Sequence, residues 1–247
     1  MRQRARVLVA IDGPAGAGKS TVARKVAERL GFVLLDTGAL YRAVALAAHR
    51  AGVGLDRDDE VSEIAEDIAA RRRLGVEPGG GDEGSGVRVL LDGDDVSKAI
   101  RTPEMSMGAS RVSALPRVRA ALLALQRQAG EAGGVVLEGR DIGTVVFPDA
   151  EAKFFLTASA EERASRRHAE LVQKGQIADL DATFREVVAR DRADTERPIA
   201  PLRQADDAVL VDSSRRSIDD VVEQIVREVT RREEELARAG GGGDASG

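Results

Sequence analysis

The chain has 247 residues, of which 43% are hydrophobic and 32% charged, with a formal net charge of −5. That is the length and mix of one large or two small globular domains with a real core, and the acidic balance argues against a general nucleic-acid binder, which carries a basic excess. The absence of cysteine excludes a disulfide framework and a thiolate metal site, and two histidines, His49 and His168, leave little from which to build a His-rich metal site or a Ser-His-Asp triad.

Met1 to Arg6 is basic, but the apolar run after it, Val7–Ile11, is too short for a signal-peptide core and ends in Asp12-Gly13-Pro14, so it reads as a buried parallel strand. No apolar stretch approaches the ~20 residues of a membrane span. The expectation is a soluble, cytoplasmic protein that binds neither membrane nor nucleic acid. Val22, Val26 and Leu30 then recur at helical spacing and predict a helix over Ser20–Leu30, stopped by Gly31. Between strand and helix lies Gly13-Pro14-Ala15-Gly16-Ala17-Gly18-Lys19-Ser20, a match to G-x-x-x-x-G-K-[ST] in the strand–loop–helix context that this motif requires. Glycines let successive backbone N–H groups turn inward around a β-phosphate, and the following helix offers its positive end. Lys19 can reach the β- and γ-phosphates, and the Ser20 hydroxyl can ligate Mg²⁺. The loop indicates a nucleoside triphosphate without naming the reaction. An Asn-Lys-x-Asp guanine-reading motif is excluded because the chain has no asparagine.

Val33–Leu35 reads as a second strand and Ala39–Arg50 as a second helix, so βαβ units and a parallel sheet are expected. Asp36-Thr37-Gly38-Ala39-Leu40-Tyr41-Arg42 opens that helix at a strand end, where an open α/β sheet binds ligands. Thr37 and Arg42 there could face an acceptor phosphate, or Thr37 could simply cap the helix with Arg42 in solvent. The rhythm then changes. Glu60–Arg73 reads as helical, the Gly-rich stretch 78–86 as a flexible loop, and Val87–Leu91 with Asp92-Gly93-Asp94 as part of a hairpin. Residues 60–105 are therefore expected to be a small inserted subdomain within a core formed by 1–59 and 106–236. A helix over Arg117–Gln128 resumes the α/β pattern. Strands follow at Val135–Leu137, which ends at the candidate acidic residue Glu138, and at Phe154–Leu156. Ala160–Gln173 reads as an Arg-rich helix and Val209–Val211 as a last strand. Ser217-Ile218-Asp219-Asp220 is a capping box opening an amphipathic helix, and 237–247 a disordered tail.

Thr-Gly-x-x-x-Arg after the second strand resembles the acceptor-binding segment of nucleoside monophosphate kinases, and the form Asp36–Arg42 is similar to that of bacterial cytidylate kinases. The resemblance continues through Ile100–Arg127, Glu138–Ala150 (EGRDIGTVVFPDA) and Arg190–Leu202 (RDRADTERPIAPL), with the motifs in the family's order. It implies an α/β fold: a P-loop NTPase-type parallel sheet sandwiched by helices, with an inserted NMP-binding subdomain and a short lid at about 158–192. It implies transfer from ATP, with Mg²⁺, to CMP or dCMP, by a monomer. Gly13–Ser20 with Thr21, Arg163 and Arg167 would bind ATP, Arg163, Arg166 and Arg167 forming the lid. Arg42 and Arg140 would hold the acceptor phosphate beside Thr37. Ser110, Arg119 and Asp141 would read the cytosine, whose N4 amino donor suits a carboxylate. Asp194 and Arg197, with Arg190, would hold ribose and phosphates, and Lys19, Arg42, Arg140 and Arg190 would carry the catalysis. Arg163, Arg166 and Arg167 could instead be a solvated helix face, Arg190–Asp194 exposed ion pairs, and Tyr41 packing.

Overall fold

The computed structural model describes residues 4–79, 87–173 and 175–240. In chain order the elements are β1 (Leu8–Asp12), α1 (Lys19–Leu30), β2 (Val33–Asp36), α2 (Thr37–Arg50), α3 (Asp58–Ala70), β3 (Leu74–Pro78), β4 (Val87–Leu91), β5 (Asp94–Asp95), a 3-10 turn (Ala99–Arg101), α4 (Pro103–Val112) and α5 (Pro116–Gly130). They continue with β6 (Val135–Gly139), a π-turn (Ile142–Val146), β7 (Ala152–Thr157), α6 (Ala160–Gln173), α7 (Leu180–Glu196), β8 (Val209–Asp212) and α8 (Ile218–Gly240). The chain divides into two compact units, Met1–Phe32 with Ala132–Gly247, and Val33–Glu131.

The first unit is built on a parallel sheet in the order β6-β1-β7-β8. β1 and β6 are buried throughout, as their unbroken apolar runs require of strands covered on both faces. Their register sets Ile11 beside Glu138 and Asp12 beside Gly139, so the strand end that leads into the glycine loop and the strand end that carries Glu138 lie side by side. The turn out of β1 admits only glycine at position 13: a Cβ there would stand 1.9 Å from the Leu156 carbonyl oxygen. α8 lays Val221, Val222, Ile225 and Val229 inward, and its N-terminus is tied to α1 by Lys25–Asp219 (2.8 Å) and Arg29–Glu223 (2.6 Å). The Ser217 cap forms, with its Oγ accepting the Asp220 N–H at 3.1 Å. The return bond of a capping box is replaced, because the hydroxyl itself donates to the Asp220 carboxylate at 2.6 Å.

The second unit has its own core, in which α2 contributes Leu40, Val44 and Ala48, α3 Val61 and Ile68, and α5 Val118 and Leu122. A three-stranded antiparallel sheet, β3-β4-β5, adds Leu74, Val89 and Leu91. This compact unit is wider than the insert expected over 60–105, because α2, α4 and α5 pack into the same core. The helix expected through Arg73 ends at Ala70. Arg72 takes a positive φ of 52° and Leu74 pairs with Leu91 instead. At the other end, α8 continues to Gly240, into the segment expected as tail, laced by Arg232–Glu228 and Arg238–Glu234 pairs one helical turn apart. Residues 80–86 of the expected Gly-rich loop and 241–247 of the expected tail lie outside the described residues.

Candidate active site

The glycine loop joins β1 to α1, with Lys19 opening the helix, Ser20 and Thr21 following, and Gly18 at its N-cap with φ 89°. Lys19 is buried, and its ammonium donates to the Pro14 carbonyl at 2.7 Å. Burial pushes its pKa down to about 7; Arg140 and Arg190 push the same way, against Glu138 and Asp12. Ser20 Oγ donates to the buried Glu138 carboxylate at 3.0 Å. Lys19, Ser20, Glu138, Arg140 and Arg190 thus converge on one strand-end region, cationic on balance and furnished with a hydroxyl–carboxylate pair. Chemically this is a place for a polyanion.

Arg140 follows β6, donating from Nε to Asp194 at 2.8 Å and from Nη1 to the Gly139 carbonyl at 3.3 Å. Asp141 is buried and stands 3.5 Å from Nη2 of Arg197, the C-cap residue of α7, whose Nε donates to the Ala200 carbonyl. The structure therefore gathers Arg140, Asp141, Asp194 and Arg197 into two neighbouring acid–base pairs, although the two halves of each pair are more than fifty positions apart in the sequence. The alternative of merely exposed ion pairs describes Arg192, which pairs with Glu196, but fails for Asp194, which is buried.

The three arginines that the resemblance assigns to a lid divide. Arg163 is buried: Nε donates to the Ala158 carbonyl (2.9 Å), Nη1 to the Ala15 carbonyl (3.1 Å) and to Asp191 (2.8 Å), and Nη2 to Asp191 (2.5 Å). Arg166 reaches the Ser213 hydroxyl (3.1 Å) and carbonyl (2.8 Å). Arg166 and Arg167 are both half-exposed, and Arg167 differs in being held only within its own helix, by Glu170 at 2.8 Å.

In the second unit Asp36, not Thr37, caps α2. Its Oδ1 accepts the Ala39 N–H at 3.1 Å, while its Oδ2 holds Nη2 of Arg42 at 2.6 Å. Thr37 is the first helical residue and is buried, and Arg42 is half-buried, so the alternative of a Thr37 cap with Arg42 in solvent is overturned. Arg119 on α5 is buried with its guanidinium 5.8 Å from the Tyr41 ring centre and Nη1 3.4 Å from the Ser113 carbonyl. Tyr41 is thus a platform for a cation besides packing in the core. Ser110 lies on α4, half-buried.

Sequence reasoning missed Asp12. It is fully buried and accepts the N–H groups of Ile142 (2.8 Å) and Gly143 (2.7 Å), the two residues after Asp141, so it fixes where the Gly-Arg-Asp segment leaves its strand. Burial raises its pKa to about 6 in spite of those two donors. Its one sequence signal was its place as the last residue before the glycine loop. Asp36, Asp191 and Ser213 were likewise unassigned, since nothing local marks a carboxylate or hydroxyl that works by holding a distant group.

Comparison with known proteins agrees over nearly the whole chain. The family model described as cytidylate kinase matches residues 9–231. A cytidylate kinase of Syntrophotalea carbinolica is 54% identical over 231 residues, 93% of this chain and 94% of that protein. One from Geobacter sp. strain M21 is 52% identical (92% and 94% covered), and one from Pseudomonas aeruginosa 50% identical (91% and 95%). With the glycine loop, the Gly-Arg-Asp segment and the Asp36–Arg42 pair all in place, the chain belongs to the cytidylate kinase family.

Proposed function

We propose that this protein transfers the γ-phosphoryl group of ATP to CMP or dCMP, giving ADP and CDP or dCDP. The observation that carries the reading is the convergence of Lys19, Arg140 and Arg190 at the end of β1, in a chain of this family. Two phosphate groups repel one another unless cations stand between them. Phosphoryl transfer asks the protein chiefly for in-line placement and neutralisation of charge. The amides of Gly13–Ser20 and Lys19 hold the donor phosphates. Arg42 and Arg140 hold the acceptor phosphate, with Arg190 and Arg197 adding charge as transfer proceeds. Asp141 accepts the cytosine amino group while Ser110 and Arg119 read the rest of the base edge, and a uracil carbonyl at that position meets a carboxylate instead. The attacking phosphate oxygen is already anionic, so no general base is needed.

Ser20 and Glu138 fit Mg²⁺, which in such sites keeps most of its waters and takes only one or two protein oxygens besides the phosphates. Bound with ATP, Mg²⁺ supplies neutralisation of the β- and γ-oxygens. Helices α6 and α7 form the lid, which closes to exclude water. Among the described residues no helix is long and apolar enough to cross a membrane, and the reading makes the protein a cytoplasmic monomer whose partners are its two nucleotides. Release of ADP from ATP·Mg²⁺, measured against CMP, dCMP, UMP and AMP, tests it. CMP and dCMP should be turned over well and UMP poorly; no CMP-dependent release would sink the proposal.

A further inference from the structure

Three of the four peptide groups between Pro14 and Gly18 in the donor loop are gripped by their carbonyl oxygens. Lys19 holds that of Pro14, Arg163 that of Ala15 at 3.1 Å, and the Ser213 hydroxyl that of Ala17 at 3.1 Å. A trans peptide is planar, with its C=O and the following N–H pointing in opposite directions. Fixing the Ala15 and Ala17 carbonyls therefore fixes the direction of the Gly16 and Gly18 N–H groups. We propose that helix α6 preorganises the donor loop from outside: Arg163 directly, and Arg166 through Ser213, draw the Ala15 and Ala17 carbonyls away from the ligand so that the Gly16 and Gly18 amides face the phosphates.

Arg163 is suited to this and poorly placed to lie over a nucleotide. It is 5% exposed, its Nε is engaged with Ala158, and both terminal nitrogens grip Asp191 of α7. A Cβ at Gly16 would come within 3.1 Å of the Arg163 Cβ, so the crown of the loop rests on the stem of the residue that holds it. Arg166 uses both terminal nitrogens on Ser213, orienting the hydroxyl toward Ala17. Amide dipoles aimed beforehand need no rearrangement when charge arrives, and that is where such donors gain their strength. An arginine is required at position 163 because one planar fork must serve a carbonyl and a carboxylate together. Arg163, Arg166, Asp191 and Ser213 are thus positioning residues, acting on ATP through the loop.

The inference rests on the donor-loop reading of Gly13–Ser20 and not on the identity of the acceptor. It is tested by calorimetric binding of ATP and of inorganic tripolyphosphate, without acceptor, to the unmodified chain and to Asp191→Asn, Ser213→Ala and Arg163→Lys. Each variant should bind both ligands about tenfold more weakly, the loss of roughly one hydrogen bond. Equal loss for the two ligands marks an effect on the phosphate amides. Were Arg163 itself the ATP contact, freeing it from Asp191 would leave affinity unchanged or tighten it. Parental or tighter ATP binding in Asp191→Asn and Ser213→Ala therefore overturns the inference while the donor-loop reading stands. An unmodified chain that binds neither ligand overturns both. Circular dichroism establishes that each variant is folded, and Ser213→Ala, which removes a single oxygen, carries the test should Asp191→Asn not fold.

Discussion

Lys19 is carried into the interior as a cation whose surroundings are cationic on balance. Burial and the nearness of Arg140 and Arg190 bring its pKa from 10.5 to about 7, and Glu138 and Asp12 only partly oppose them. A polyphosphate would reverse the balance, so the group proposed to bind ATP is one that destabilises the protein without it. The sign follows from linkage. Between about pH 7 and 10.5 the unfolded chain binds the Lys19 proton and the folded chain does not, so stability from this group rises with pH across that window, and its full cost is present below it. Asp12, titrating at about 6, acts below the same window. Lys19→Met should therefore abolish turnover yet melt at a higher temperature than the parent at pH 7, with the gap narrowing as the pH is raised to about 9.5. ATP should raise the melting temperature of the parent alone. A variant that melts below the parent at pH 7 would contradict the assigned cost of the buried ammonium.

Among the elements, those with a strong periodic face were legible. α8 carries Val221, Val222, Ile225 and Val229 on one stripe, and all four are buried. Ile225 is wholly enclosed, so Ile225→Ala should cost about 2–5 kcal/mol in urea unfolding. Arg29→Ala, which breaks the exposed Arg29–Glu223 pair, should cost less than about 1 kcal/mol. Equal effects would mean that charge rather than packing seats the helix. Elements without a stripe escaped the sequence. α7 buries only Thr183, Val187 and Asp194 of its 17 residues, so its pattern is polar all round. α4 buries Gly108 where a Cβ would come 2.9 Å from the Ala45 side chain, and a glycine chosen for close approach reads as a break in a helix. β3 is short and contains Gly75, and only its pairing with β4 makes it a strand. The π-turn after Asp141 is held at its start by Asp12, from the far end of the sequence.

At the scale of the molecule, what was legible is what is local. The glycine loop is eight consecutive residues with a required backbone, and it joins β1 to α1 as its sequence context predicts. Its braces were invisible because they are contacts between residues 148 and 196 positions apart. The candidate acceptor residues came from resemblance, and they are divided by the chain's two compact units: Thr37, Arg42, Ser110 and Arg119 fall in Val33–Glu131, while Arg140, Asp141, Arg190, Asp194 and Arg197 fall in the other, with every donor residue. The two substrates should therefore leave different marks on hydrogen exchange, since a ligand suppresses the opening of the segments that it holds. ATP alone should slow exchange in Gly13–Thr21 and leave α2 at its unliganded rate. CMP alone should slow α2 and the α4–α5 segment and also the residues around Arg140 and Asp141. Protection by CMP confined to Val33–Glu131 would remove Arg140, Asp141, Asp194 and Arg197 from the acceptor's contacts. Asp141 could then not be what tells cytosine from uracil, and base selection would fall to Ser110 and Arg119 alone.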